Sequence, residues 1–339
     1  MKERLYWVDI AKGIGAILVV VGHVIINYQR AGFYIDIRLF DFVRDVIYSF
    51  HMPLFLVISG YLLSKSKPKG TKAQQIFQII INYGIPYVFF SAIWVFSKII
   101  LADHVITELS LKDLLWIPVY PVQFMWFLYT LMLIHIFQIP LSTHPQRIIR
   151  VIHIFLSIVG YFIQPYIQNH FPQIRFTSSI FNYILKNYCF FLFGLYYAEF
   201  ITKITEEKRM FEFILSGIIL VAGNIFLFSR MVTFERIIQF ISALSGSLFI
   251  LMISVYIKES HLLEYIGRHA MPIYVLQGFS YNAARIILTK FYVNTSSELF
   301  PLCVCSLAGI TLPLIVYQLS TKFFHLDALF YPGKYLKVQ

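Results

Sequence analysis

Charged residues are scarce in this chain of 339 residues, since Asp, Glu, Lys and Arg together make up only 13% of it. Soluble globular domains carry about 25% charged residues, so the composition excludes an ordinary soluble fold. Hydrophobic residues reach 58%, and the mean hydropathy is +0.71. The shortage of charge therefore predicts an all-α, polytopic integral membrane protein.

Cysteine is also rare, because the chain contains only three. Cys189, Cys303 and Cys305 fall in apolar segments and lack the CxxC or Cys/His spacing of a zinc site. Neither a disulfide framework nor a bound metal is predicted. Acidic residues are outnumbered by basic ones, which gives a net charge of +11. Basic loops facing the anionic headgroups of membrane lipids account for this surplus, so no nucleic acid partner is expected.

Low-complexity tracts are absent, whereas long apolar segments follow one another along the whole chain. About ten segments have the length that spans a bilayer as a helix, and they lie near residues 6–28, 44–63, 76–101, 123–140, 148–166, 178–199, 211–228, 236–256, 265–288 and 299–320. No loop between them has the length or the periodic apolar pattern of a soluble domain. We therefore expect one integral-membrane domain over residues 1–339, with no appended soluble domain and no cleaved signal peptide.

Lys and Arg are unevenly shared between alternate loops of this arrangement. One set of loops carries sixteen of them, and the other set carries eight. Cytoplasmic loops are the ones enriched in Lys and Arg, so the richer set, which includes both ends of the chain, is predicted to be cytoplasmic. The expected location is a cell membrane, namely the bacterial plasma membrane.

Three ionisable residues interrupt the first apolar segment: Asp9, Lys12 and His23. An Asp or Lys at the centre of a membrane helix costs roughly 2.5–3.5 kcal/mol, so its presence there predicts a functional site with a partner. Asp9 and Lys12 are at positions i and i+3 and are expected to pair. Lys12 and His23 are separated by about 16.5 Å along a helix and by about 20° in direction, which places both on one helix face.

The second apolar segment brings further polar residues to matching depths on its way back to the cytoplasm. His51 lies near its outer end, whereas Ser59 and Tyr61 lie near its inner end. We expect His51 to share an outer layer with His23, and Ser59 and Tyr61 to share an inner layer with the acid–base pair of the first segment. Structural roles stay open, because small residues such as Ser59 and Gly60 also permit close helix packing, and histidines are tolerated near a membrane interface.

These residues resemble the signatures of membrane acyltransferase family 3, the ten-helix O-acyltransferases that modify cell-surface carbohydrates. The family's first helix carries a basic residue, ten others and a histidine, which resemble the stretch from Lys12 to His23. Its second helix carries a stretch from phenylalanine to Ser-Gly-Tyr, which is similar to residues 50–61. A Trp-Phe-Leu segment common in the family is similar to Trp126 and the two residues after it. The order and spacing of these pieces extend the resemblance over most of the chain.

The ninth segment departs from the family pattern. Many members have a serine and a closing histidine there, and this chain has Ala270 and Gln277 instead. A proton-transfer role is therefore not expected at Gln277, although its amide still donates and accepts hydrogen bonds and can orient a neighbour. Some members carry an additional extracytoplasmic hydrolase-like domain, and this chain resembles the stand-alone type.

The resemblance implies transfer of an acyl group, most often acetyl, from cytoplasmic acetyl-coenzyme A or another acyl-coenzyme A to a hydroxyl of an extracytoplasmic or membrane-linked carbohydrate, such as an exopolysaccharide. The implied catalytic residues are His23, as general base or as nucleophile, Lys12, which stabilises the thioester oxygen or a nearby phosphate, and Asp9, which holds the orientation of Lys12. The implied substrate-binding residues are His51, Ser59, Tyr61 and Trp126.

Several alternatives stay open at this point. Tyr61 and Trp126 are also typical of interfacial anchors. The basic loop of residues 65–72 suits the phosphates of coenzyme A, but charge sidedness alone predicts the same residues. An exporter or flippase of a polysaccharide or lipid-linked glycan has a similar composition. Transporters often contain internal repeats, and the signatures of the first two segments do not recur later in this chain, which favours the enzyme.

Overall fold

A computed structural model describes residues 5–30, 37–66, 69–100, 109–141, 145–170, 175–229, 234–257, 259–291, 299–324 and 326–336. These residues form helices, with no strand among them. The all-α class predicted from the composition is therefore confirmed for the described part of the chain. Contacts divide the chain into two compact units, the first with Met1–Ile58 and Glu199–Phe324, and the second with Ser59–Ala198 and His325–Gln339.

The α-helices are, in chain order, α1 (Tyr6–Arg30), α2 (Ile37–Ser64), α3 (Lys72–Ile79), α4 (Ile85–Ile100), α5 (Lys112–Trp116), α6 (Trp126–Gln138), α7 (Arg147–His170), α8 (Arg175–Tyr196), α9 (Ala198–Glu206), α10 (Met210–Phe228), α11 (Glu235–Tyr256), α12 (His261–Arg268), α13 (Ala270–Phe291), α14 (Leu299–Phe324) and α15 (Asp327–Phe330). A π-helix, Ile80–Gly84, joins α3 to α4. Short 3-10 helices cover Gln123–Met125 and Pro332–Lys334. Helix α2 contributes residues to both units.

Helix α1 forms the core of the first unit, where it packs against α11, α12, α13 and α14. Val20, Val24 and Tyr28 are buried on α1 and pack in one apolar cluster with Ile273 of α13 and Cys305 of α14. Neighbouring helices therefore surround α1 within its own unit. Ionisable residues on a membrane helix generally face such a helical interior, and this environment suits those of α1.

Helices α1 and α12 approach each other backbone to backbone. A Cβ at Gly267 would overlap the carbonyl oxygen of Asp9, and a Cβ at Gly13 would overlap the carbonyl oxygen of Leu263. Glycine at both positions is what allows this approach, as small residues do between membrane helices. Helix α12 itself begins at a capped end, because the Ser260 side chain accepts a hydrogen bond from the N–H of Leu263.

Helix α13 covers most of the segment predicted near residues 265–288, but the first four of these residues belong to a separate helix. Helix α12 ends at Arg268, the chain turns at His269, and α13 begins at Ala270. Pro272 explains this break. Its nitrogen has no hydrogen to donate to the carbonyl of Arg268, and its ring clashes with that carbonyl in a continuous helix.

Helix α2 begins before the predicted bound of residue 44, at Ile37. Its first two turns contain charged residues among the apolar ones. The guanidinium of Arg44 pairs with the carboxylate of Asp41 at 2.6 Å and with that of Asp45 at 2.7 Å. A search for apolar segments misses these turns because they contain charged residues. The helix accommodates these charges because they pair along it.

The second unit contains a π-helix that packs on α6. Pro86 follows it closely, and a proline there cannot continue the regular ladder of hydrogen bonds. The N–H of Ile85 instead bonds to the carbonyl of Ile80, which gives the wider turn of a π-helix. Elsewhere in this unit Gly60 packs on α8, where a Cβ would overlap the carbonyl oxygen of Phe191. The expectation that residues 59–60 permit close packing is confirmed for Gly60.

Seven helices among the described residues are long and apolar enough to cross a membrane: Tyr6–Tyr28, Arg38–Ser64, Lys72–Ile100, Arg147–His170, Met210–Phe228, Glu235–Tyr256 and Leu299–Phe323. The first of them confirms the predicted bounds of 6–28. Helices α6, α8 and α13 cover the other three predicted segments without being among these seven. The count of ten spans, the cytoplasmic termini and the single domain over 1–339 stay predictions.

Candidate functional site

The predicted acid–base pair of α1 is formed. Nζ of Lys12 lies 3.9 Å from Oδ1 of Asp9, within ion-pair distance. Asp9 is 8% exposed and stands in the first turn of α1, where the helix dipole favours a negative charge. Its backbone carbonyl borders Gly267 of α12. The pair therefore sits where α1 and α12 meet, with a fixed carboxylate beside a more accessible ammonium group.

His23 contacts a tyrosine of α2 that the sequence analysis did not single out. The hydroxyl oxygen of Tyr48 lies 3.0 Å from Nδ1 of His23, and the two rings meet edge to face with centroids 5.9 Å apart. Nε2 of His23 is buried. The Tyr48 hydroxyl thus fixes the direction of Nδ1, and because the ring is rigid it also fixes the direction of Nε2.

His51 is held by its own helix and by the same tyrosine. It is 3% exposed, and its Nδ1 lies 2.7 Å from the carbonyl oxygen of Ile47. Because a carbonyl only accepts hydrogen bonds, Nδ1 of His51 carries the proton and Nε2 keeps a lone pair in the neutral ring. The ring centroids of Tyr48 and His51 are 4.8 Å apart. Tyr48 therefore contacts both His23 and His51, and the outer position of this layer stays a prediction.

Ser59 forms a hydroxyl–imidazole pair in the second unit. Its Oγ lies 2.9 Å from Nε2 of His135, a residue of α6. The His135 ring stacks on Tyr83 of the π-helix at 5.4 Å and meets Phe191 edge to face at 5.2 Å. π-Helical turns often occur at functional sites. Here Tyr83 of such a turn packs against the His135 ring, which lies beside Ser59.

Tyr61 and Trp126 have aromatic or cationic neighbours of their own. Tyr61 is 3% exposed, and Nζ of Lys65 lies 5.5 Å from its ring centroid. Trp126 stacks on Tyr183 of α8 with centroids 6.0 Å apart and an interplanar angle of 12°. Tyr61 is therefore buried and in contact with an ammonium group. The alternative that it is an interfacial anchor stays open. The roles of both residues in substrate binding stay predictions.

The predicted inner layer combines residues of both units. Asp9 and Lys12 belong to the first unit, whereas Ser59 and Tyr61 belong to the second. Their common layer stays a prediction for that reason. Gln277, the residue that departs from the family pattern, is fully buried in α13, and its Nε2 is 3.4 Å from the carbonyl oxygen of Tyr274.

Sequence reasoning missed Tyr48 and His135. Tyr48 precedes His51 by three positions, which places the two on one helix face, and this spacing was a usable signal. His135 lies far from Ser59 in sequence, and no motif links them. No group of three or more metal-ligating side chains occurs among the described residues, and the metal-free site stays a prediction.

Several membrane-length helices with imidazole, phenol and hydroxyl groups packed between them define a multi-pass helical membrane protein. A family model described as an acyltransferase domain matches residues 5–317. The chain therefore belongs to acyltransferase family 3 and is an acyltransferase enzyme. This confirms the resemblance found in the sequence. The search of curated proteins and the search of solved structures each gave no match.

Proposed function

We propose that the protein is an O-acyltransferase, most often an O-acetyltransferase, of surface carbohydrates. Its donor is cytoplasmic acetyl-coenzyme A or another acyl-coenzyme A, and its acceptor is a hydroxyl of an extracytoplasmic or membrane-linked glycan. The membrane is the bacterial plasma membrane. One observation carries this proposal: within a chain of an acyltransferase family, the cluster of His23, Tyr48 and His51 offers imidazole nitrogens oriented by hydrogen-bond partners.

His23 handles the proton or the acyl group in this proposal. As a general base it takes the proton of the acceptor hydroxyl while that oxygen attacks the thioester carbonyl, and it gives the proton to the sulfur when the carbon–sulfur bond breaks. As a nucleophile, Nε2 attacks the thioester carbonyl, the carbon–sulfur bond breaks and coenzyme A leaves as the thiolate. The acceptor oxygen then attacks the acyl-imidazole, the carbon–nitrogen bond breaks, and Nε2 takes the proton of the hydroxyl, which finally neutralises the thiolate. In both routes Nε2 of His23 needs a lone pair, which requires Nδ1 to donate its hydrogen to the hydroxyl oxygen of Tyr48.

His51 supports the acceptor side. Its proton on Nδ1 is committed to the carbonyl of Ile47, so Nε2 of the neutral ring accepts a hydrogen bond from a sugar hydroxyl. A carbohydrate presents many such hydroxyls. This arrangement suits the substrate-binding role that the sequence analysis gave to His51, with the ring of Tyr48 between the two imidazoles.

The donor side uses charge and hydroxyl groups. Lys12 stabilises the thioester oxygen or a phosphate of coenzyme A, and Asp9 holds the ammonium group in position. Ser59 binds substrate through a hydroxyl whose direction is set by His135. Tyr61 and Trp126 provide aromatic surface for the same purpose. His135 is a positioning residue in this scheme, since it acts through Ser59.

Labelled acetyl-coenzyme A tests the proposal directly. Membranes with the wild-type protein, and matched membranes with His23→Ala, are supplied with radiolabelled acetyl-coenzyme A, and label is followed into the surface glycan fraction. Transfer in the wild type and its loss in the variant support the O-acyltransferase. Glycan that stays unlabelled while its export depends on the protein overturns it in favour of an exporter or flippase.

A further inference from the structure

A second polar cluster lies in the second unit, at the end where α6 finishes, α7 begins and α8 finishes. Nδ1 of His153 lies 2.9 Å from the hydroxyl oxygen of Tyr196, and the two rings stack with centroids 6.3 Å apart. The guanidinium carbon of Arg150 lies 5.6 Å from the centroid of the same tyrosine ring. Tyr196 is buried, with 7% of its surface exposed. A cation and an imidazole therefore converge on one buried phenol.

Gln138 adds a buried hydrogen-bond donor to this cluster. It is 2% exposed, and its Oε1 accepts a hydrogen bond from the Tyr188 hydroxyl at 2.6 Å. That bond fixes the orientation of the amide, so its Nε2 points away from Tyr188. The amide lies beside the Tyr196 hydroxyl. Nε2 of Gln138 is buried and faces the Tyr196 hydroxyl without completing a hydrogen bond of full geometry within the described part of the chain.

Arg150 supplies a charge that no carboxylate of the described residues pairs with. Its buried Nε makes no hydrogen bond among these residues. Other arginines of the chain, such as Arg44 and Arg209, pair with carboxylates on their own helices or loops. A buried N–H without an acceptor is unfavourable. Two such donors in one cluster, beside a guanidinium with no carboxylate, indicate that an anionic oxygen ligand completes the site.

We propose that Gln138, Arg150, His153 and Tyr196 form a phosphate-binding site that holds a phosphate group of the acyl-coenzyme A donor, an assignment that rests on the proposed function. A phosphate offers several acceptor oxygens and a negative charge, which match an amide N–H, a planar guanidinium and an imidazole. The cluster stands at the end of the helices that charge sidedness predicts to be cytoplasmic, where coenzyme A is available. Phosphorylated lipid headgroups share this chemistry and are distinguished by the experiment.

The test compares coenzyme A with 3′-dephospho-coenzyme A, which lacks the terminal phosphate monoester, in binding to purified protein. Wild type is expected to bind coenzyme A at least about tenfold more tightly. Arg150→Gln should abolish that preference, and Arg150→Lys should retain part of it, because the charge is kept but the planar fork is lost. Arg147→Gln is the matched control. It removes the same charge from an exposed position one turn earlier on α7, and the preference should survive.

Gln138→Glu provides a second variant of nearly unchanged shape. Its carboxylate pairs with Arg150 and repels phosphate, so the preference for coenzyme A should be lost while the thermal stability of the protein is maintained. In a parallel arm, thermal stabilisation is measured in micelles with phosphatidic acid. Stabilisation by this lipid that disappears in Arg150→Gln, with no preference between the two coenzymes in wild type, assigns the phosphate site to a lipid headgroup and overturns its role for the donor.

The outcomes separate this inference from the proposed function. If label reaches the glycan but Arg150→Gln and Arg147→Gln behave alike toward both coenzymes and toward the lipid, the phosphate site is wrong and the acyltransferase stands. If wild type fails to bind either coenzyme, the coenzyme A donor is wrong, and with it the assignment of the site to that donor. The lipid arm then decides separately whether the cluster binds phosphate.

Discussion

The hydroxyl oxygen of Tyr48 lies 3.0 Å from Nδ1 of His23, and this contact links α2 to α1 at the depth where acyl transfer is proposed. It sets a condition on the chemistry. If the phenol accepts the hydrogen of Nδ1, then Nε2 is the basic nitrogen of His23, and the reverse arrangement leaves Nε2 protonated. Tyr48 is therefore expected to determine whether Nε2 of His23 carries the lone pair that the reaction needs.

Tyr48→Phe should lower the rate of acyl transfer about tenfold or more and alter its pH profile. The phenyl ring retains its packing on the two histidines, but the tautomer of His23 is no longer selected. The measurement is transfer of label to glycan over a range of pH. Tyr166→Phe removes a hydroxyl from an exposed tyrosine that stacks on His170, and it should leave both rate and profile unchanged. Equal behaviour of the two variants would contradict the role given to Tyr48.

His23→Ala should reduce acyl transfer by 10²–10⁴-fold, the usual effect of losing a general base. Expression and insertion in the membrane should stay near those of the wild type, because the residue is only partly buried. His170→Ala removes an exposed imidazole that belongs to neither proposed site, and it should leave transfer unchanged. Transfer by His23→Ala within a few-fold of the wild type would rule out its catalytic role.

Lys12→Ala should weaken binding of coenzyme A, whereas His23→Ala should bind the donor almost normally and fail in the chemical step. The reason is position along α1, since Lys12 lies about 16.5 Å closer than His23 to the predicted cytoplasmic end. Lys12→Arg should retain part of the affinity. Donor affinity measured on purified protein decides the matter. Unchanged affinity in Lys12→Ala would leave the Asp9–Lys12 pair as a packing element of α1.

Gly267→Ala should destabilise the protein strongly, because the added methyl group overlaps the backbone carbonyl of Asp9 and neither helix can yield without moving its main chain. Gly84→Ala is the control, since its Cβ would lie 3.3 Å from flexible side-chain atoms of Ile80 and Met132. Thermal unfolding of the two variants in detergent gives the comparison. An equal and small effect in both would mean that α12 is not packed on α1 as described.

Single cysteines at Lys69 and Lys112 should be labelled from opposite sides of the membrane. Both residues are exposed, and the loops that contain them belong to the basic-rich and the basic-poor sets respectively. The background variant lacks Cys189, Cys303 and Cys305. Impermeant maleimide added to intact cells should react at position 112 only. Reaction at both positions from one side would require a different number of spans between them.

The sequence predicted best what depends on local hydrophobicity. The bounds of the first helix follow directly from its apolar residues, and they agree with the candidate span Tyr6–Tyr28. It failed where one residue changes the backbone, because Pro272 divides a segment that hydropathy alone treats as continuous. The first turns of α2 were also missed, because their charged residues lower the local hydropathy and the sequence alone did not show that these charges pair.

The site was predictable only where its residues share a helix. The Asp9–Lys12 pair follows from their spacing, and it is formed. The contact between His23 and Tyr48 required knowledge of how α1 and α2 are aligned to within one residue, and tertiary packing alone supplies that alignment. The pair of Ser59 and His135 depends on the same kind of information for α2 and α6.

The glycine contact between α1 and α12 has a mechanical consequence for the catalytic cycle. Two main chains that touch at Gly13 and Gly267 leave no layer of side chains to deform, so a sliding motion of one helix along the other is blocked. Any rearrangement during the proposed reaction would therefore have to carry α1 and α12 together, and with them Asp9 and Lys12.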